Sequence, residues 1–187
     1  MSTVTGLPNL LTLLRICLIP IFIGVFYLPF SWAHGAAAVI FALASFTDWL
    51  DGFLARKLQQ ISPFGAFLDP VADKLLVATS LLLLVGAKDL NYITLPAIVI
   101  VGREIVISAL REWMAEIGRS ASVTVSYIGK VKTCLQMFAL VLLLAFYPAT
   151  SYWGALGFVL LYVAAILTIW SMVIYILIAW PLLVKKQ

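Results

Sequence analysis

Apolar residues fall into six long blocks separated by short polar or turn-rich breaks. About 20 apolar residues cross a bilayer as a helix, so each block is read as a spanning helix. The first covers roughly Leu10 to Leu28, with Pro20 as a kink. The second runs from Trp32 to Leu58 and the third from Phe64 to Gly86. The fourth covers Tyr92 to Ile117, the fifth Gly129 to Phe146, and the sixth Trp153 to Val184. Trp32, Tyr147, Tyr152, Trp153 and Trp180 stand near block ends, where an aromatic belt sits. The pattern predicts an all-α integral membrane protein: six transmembrane helices with a short amphipathic N-terminal segment, forming a single domain over residues 1–187.

Composition strengthens this picture. Of 187 residues, 64% are hydrophobic and 11% charged, and the mean hydropathy of +1.13 is far above that of a soluble domain. The net charge of +4 is spread over block ends, which argues against a nucleic-acid surface. Met1 to Leu14 holds no Lys or Arg, so a removable signal peptide is not expected. Cys17 and Cys134 both lie inside apolar runs and do not suggest a disulfide framework.

The basic residues give an orientation. The breaks at Leu28–Gly35 and Tyr147–Trp153 have none, and near Asn91 only Lys88 appears, offset by Asp89. The other side carries Arg15, Arg56, Lys57, Arg111, Arg119, Lys130, Lys132, Lys185 and Lys186. By the positive-inside rule that side is cytoplasmic, which puts both termini there in a multi-pass protein of the cell membrane.

One stretch breaks the apolar pattern. The chain has five Asp, and Asp48, Asp51, Asp69 and Asp73 lie within 26 residues. Carboxylates among spanning segments are costly and need a purpose. Asp48 and Asp51 (i, i+3) share a helix face, as do Asp69 and Asp73 (i, i+4). Pro63 and Gly65 are read as the break that lets the two helices fold back, so that the four carboxylates converge toward the cytoplasmic side. Converging carboxylates repel unless cations sit among them, and oxygen-only ligands select Mg²⁺ or Mn²⁺. Four suffice for two ions of the kind that clamp a transferring phosphoryl group. A structural pair of carboxylates or an ion pathway is the alternative.

The spacing D-x2-D-G-x2-A-R-x8-G-x3-D-x3-D resembles the signature of the CDP-alcohol phosphotransferase family, and Asp48, Asp51, Gly52, Ala55, Arg56, Gly65, Asp69 and Asp73 fill its eight fixed positions. The later runs GREIVISALREWMAE and SYIGKVKT, with the opening PNLLTLLRI, are similar to the branch of bacterial phosphatidylglycerophosphate synthases. The resemblance implies six helices, a homodimer among membrane lipids, CDP-diacylglycerol as donor and sn-glycerol 3-phosphate as acceptor. It implies that the four Asp hold the metal, with Asp73 also the general base. Gly52 and Ala55 would leave room for cytidine, and Arg56 would meet phosphate or nucleotide. Relatives with other acceptors, cardiolipin-forming or phosphatidylserine-forming, share the eight positions. A cation transporter is a distant second class, disfavoured because the carboxylates sit at one end of their spans.

Other polar residues divide between two readings each. Asn9, Thr12 and Arg15 form a stripe on the first helix. They either anchor it at the interface or border the nucleotide site. Arg103 and Arg111 are about 80° apart around the fourth helix and about 12 Å along it. Arg103 is deep, so it either pairs with Glu104 or an Asp or helps form a phosphate pocket. Glu112 and Glu116 are expected to be solvated or paired with Arg119. Gly129 is read as a turn before the fifth helix. Lys130 shares a face with Thr133 and Met137 and is assigned to the acceptor phosphate with Arg103 and Arg111; Lys132 is assigned to lipid headgroups. His34 is expected in solvent.

Overall fold

The computed structural model describes residues 7–58, 63–87, 90–117, 127–148 and 150–184. Within them the chain is all helical: α1 Leu7–Phe26, α2 Ala33–Leu58, α3 Pro63–Gly86, α4 Thr94–Glu116, α5 Tyr127–Ala145 and α6 Tyr152–Val184, with one 3-10 turn, Asn91–Ile93, before α4. Each hydrophobic block becomes one helix.

α1 packs against α2 and α3, α5 joins α2 to α6, and α6 closes against α4. The Tyr162 hydroxyl on α6 donates to the Tyr92 carbonyl at 2.8 Å, tying α6 to the turn that precedes α4. Ser151 caps α6 by accepting the Gly154 N–H at 3.2 Å. Where α5 and α6 cross, a Cβ on Gly157 would lie 2.9 Å from Leu143 Cγ and 3.2 Å from Leu142 Cβ. Gly157→Ala should therefore lose about 1–3 kcal/mol by overpacking. A thermal unfolding midpoint in detergent equal to wild type would contradict this contact.

The interior changes character along its length. At one end Phe22, Phe41, Leu84, Ile100, Leu140 and Leu143 are fully buried against one another. Toward the other end the same inward faces present Asn9, Thr12 and Arg15 on α1, Arg103 on α4, and Lys132 and Gln136 on α5, all buried. The exterior is the reverse of a soluble protein's, with Leu82, Ile98, Ile105, Ile166 and Leu177 exposed. Among the described residues α1 and α6 are long and apolar enough to cross a membrane. α2 and α5 hold shorter apolar stretches, Ala33–Asp48 and Val131–Ala145. α3 and α4 fall short because Asp69, Asp73, Lys74, Arg103, Glu104 and Arg111 interrupt them, and these are the residues that make the interior polar.

Four expectations differ from the structure. Gly65 is buried in the first turn of α3, not in a break, because Pro63 opens that helix; the first helical position suits proline. Gly129 likewise lies inside α5, which starts at Tyr127. His34 is half-buried rather than fully in solvent: it sits in the first turn of α2, with its ring centroid 5.0 Å from Phe26 and 4.4 Å from Tyr147. The aromatic rings at the ends of α1 and α5 cover it. A separate amphipathic segment is not seen among the described residues, since the polar stripe is part of continuous α1.

Candidate active site

The polar end is built first by α1. Thr12 Oγ1 donates to Asp69 Oδ1 at 2.5 Å, and Arg15 pairs with Asp48 Oδ1 at 2.5 Å. Arg15 is fully buried. A buried guanidinium bonded to a carboxylate cannot be an interfacial anchor, so the stripe of Asn9, Thr12 and Arg15 borders the Asp-rich site. The sequence places Arg15 in this stripe by its i+3 spacing from Thr12, but gives no sign of its pairing with Asp48.

Asp73 stands between two halves of the site. On one side it feels the negative charge of Asp48, opposed by Arg15, and it also feels Glu104, opposed by Lys74. On the other side it lines a cavity of about 210 Å³ with Arg103, Arg111, Lys132, Gln136 and Tyr175. α3 thus supplies a carboxylate to both halves, while α4, α5 and α6 supply the cavity's far walls. Lys74 is turned toward α4, where its ammonium donates to Ser108, and Ser108 donates to the Glu104 carbonyl at 2.6 Å.

The cavity is cationic. Arg103 donates through one terminal nitrogen to Glu104, as the ion-pair reading required. Its Nε is buried without a hydrogen-bond partner among the described residues. Arg111 lies over the Tyr175 ring, 5.7 Å from its centroid. Lys132 is 4% exposed, and both arginines act on it with like charge, countered by Glu104. Among the described residues no hydrogen bond or ion pair holds the Lys132 ammonium. Two arginines and two lysines against Asp73 and Glu104 leave this small space with an excess of positive charge, which suits an anion.

Lys132 is thus a correction: it points inward, not to headgroups. The α5 face on the cavity runs through Gly129, Lys132, Thr133, Gln136 and Met137. That is an i, i+3, i+4, i+7, i+8 face rather than the narrow stripe drawn through Lys130. The side chain of Lys130 lies outside the described residues. Gln136 and Tyr175 were not anticipated; being uncharged inside apolar runs, they gave no signal. Glu112 and Glu116 are exposed, as expected.

Asp51, Gly52, Ala55 and Arg56 follow Asp48 on the last turns of α2, and their side chains lie outside the described residues. Among the described residues no three acidic, His or Cys side chains close into an ion cage. The donor chemistry nonetheless fits a hard divalent cation. Asp48 and Asp73 repel each other, the groups available are carboxylate oxygens, and Asp48 and Asp69 are already oriented by donors from α1.

An all-helical bundle with an apolar exterior, carboxylates at one end and a cavity rich in cations beside them is the setting of a membrane-associated transferase. The chain belongs to the CDP-alcohol phosphatidyltransferase family, whose model matches residues 5–184. That family uses divalent metal ions. Three similar curated proteins are each named CDP-diacylglycerol–glycerol-3-phosphate 3-phosphatidyltransferase. The one from Pseudomonas fluorescens is 56% identical over 94% of this chain and 91% of its own. That from Yersinia enterocolitica is 55% identical over 94% and 95%, and that from Salmonella paratyphi A 54% over 91% and 93%.

Proposed function

We propose that this protein transfers the phosphatidyl group of CDP-diacylglycerol to sn-glycerol 3-phosphate, giving phosphatidylglycerophosphate and CMP. The observation that carries this reading is Asp73, placed between the carboxylate cluster and the cationic cavity. Asp48, Asp51, Asp69 and Asp73 would hold two Mg²⁺ or Mn²⁺ ions. Such ions supply charge neutralisation at a diphosphate. The donor's headgroup lies against α1 and the end of α2, bordered by Asn9, Thr12, Gly52, Ala55, Arg56 and Gly65. The acceptor's phosphate lies in the cavity, on Arg103, Arg111 and Lys132, with Lys130 at its edge. Arg is suited to this by its fork of donors.

The reaction is a direct displacement. The acceptor hydroxyl oxygen forms a bond to the phosphorus that carries the diacylglycerol. The bond from that phosphorus to the bridging oxygen breaks, and CMP leaves with the electron pair. The hydroxyl proton passes to Asp73, which needs only hydrogen-bond reach to it. Positioning and charge neutralisation provide the rest of the catalysis.

The apolar exterior and the basic residues near one end support six membrane crossings with both termini and the site at the cytoplasmic face. A homodimer is the assembly that the family resemblance implies. An acceptor without a phosphate, as in phosphatidylserine formation, is the weaker alternative, because it would leave the Lys132 ammonium and the Arg103 Nε without a hydrogen-bonding partner in the cavity.

The purified protein with CDP-diacylglycerol and Mg²⁺ should release CMP when given glycerol 3-phosphate. It should do so very poorly with glycerol or serine, and EDTA should stop it until Mg²⁺ or Mn²⁺ is restored. Equal CMP release with glycerol and with its phosphate would sink the acceptor assignment, while CMP release that persists in EDTA would sink the metal.

A further inference from the structure

One amide side chain stands among the charged groups that line the cavity. Gln136 lies one turn beyond Lys132 on the same face of α5 and is 7% exposed. Among the described residues nothing hydrogen-bonds its side chain. Buried amides are normally partnered, so this one is kept for something that enters the cavity. A phosphate needs donors only, and Arg103, Arg111 and Lys132 provide them. An amide offers a donor and an acceptor together, which matches a hydroxyl, since a hydroxyl does both. The neighbouring Thr133 hydroxyl is already engaged, donating to the Gly129 carbonyl at 2.9 Å.

An acceptor bound with its phosphate on the cations and one hydroxyl at Asp73 carries a second hydroxyl between them. We propose that Gln136 is the specificity-determining residue that reads this non-reacting secondary hydroxyl. The inference rests on the acceptor reading above. Its consequence is discrimination against a phosphorylated alcohol of the same length without that hydroxyl, because binding it would leave the buried amide unpaired.

The test compares glycerol 3-phosphate with 3-hydroxypropyl phosphate by kcat/KM for CMP release. Wild type should favour glycerol 3-phosphate by about ten- to a hundredfold. Gln136→Met keeps the side chain's shape without its hydrogen bonds. It should lower kcat/KM for glycerol 3-phosphate while sparing the deoxy compound, so that the ratio falls toward one. A ratio unchanged in Gln136→Met, both substrates falling together, would mean that Gln136 only packs. The wild-type comparison stands without any variant: equal use of the two phosphates overturns the inference by itself. If glycerol 3-phosphate releases no CMP at all, the acceptor reading falls and this inference with it; if it does and the ratio fails, this inference alone falls.

Discussion

Asp69→Asn should lower turnover by about a thousandfold while leaving the fold intact. Asp69 accepts a hydrogen bond from Thr12 at 2.5 Å, and an amide oxygen in its place can still accept it. The packing of α1 on α3 is therefore kept. What disappears is one carboxylate charge that the proposed divalent cations need in order to clamp the phosphoryl group, and weakening that electrostatic clamp should cost about 10²–10³ in rate. Asp48→Asn is a less clean variant. It leaves fully buried Arg15 facing a neutral group. Because the Asp48 side chain is 39% exposed, water offsets part of that loss, and about 1–3 kcal/mol of stability should go with the activity. Activity assays at saturating Mg²⁺, paired with thermal unfolding in detergent, separate the two effects. An Asp69→Asn protein with near wild-type turnover would remove Asp69 from the site.

The contrast between these variants shows where the sequence was informative. Six apolar blocks of spanning length became six helices, since burial or lipid contact over a whole helix leaves a mark at every position. The Asp spacing was legible because charge in an apolar run has a cost that only function offsets. Arg103 was legible for the same reason: it pairs with Glu104, as one reading has it, and it lines the cavity in which the other would place a phosphate. Lys132 was misread. Positions 130 and 132 stand about 200° apart around a helix, and which of them meets the cavity depends on how α5 rotates against α2 and α6. That rotation is set by contacts such as Leu143 on Gly157, residues with no chemistry of their own. Gln136 and Tyr175 had still less to show, since a neutral side chain among apolar neighbours reads as filler until a cavity forms beside it. Gly65 and Gly129 were taken as breaks from residue type alone, but a proline at the first helical position in one case and an earlier helix start in the other placed both inside helices.

The second large effect concerns the acceptor. Lys132→Met and Arg103→Ala should each raise KM for glycerol 3-phosphate by about ten- to a hundredfold and change KM for CDP-diacylglycerol little. A small dianion owes most of its binding to charge-assisted hydrogen bonds, each contributing about 1.5–3 kcal/mol. Lys132→Met is chosen because methionine fills the space of the buried stem, so that the loss reports the ammonium rather than a cavity. Arg103→Ala also frees Glu104, whose negative charge then competes with the acceptor's phosphate for Lys132. Its effect should therefore be the larger of the two, and Glu104→Gln in the same background should restore part of the affinity. Inorganic phosphate gives an independent readout, as it should compete with glycerol 3-phosphate in wild type and much less in Lys132→Met. Were both variants to keep the wild-type acceptor KM and the same inhibition by phosphate, the cationic cavity would not be where the acceptor's phosphate binds. The carboxylate half of the site would then have to recognise both substrates alone.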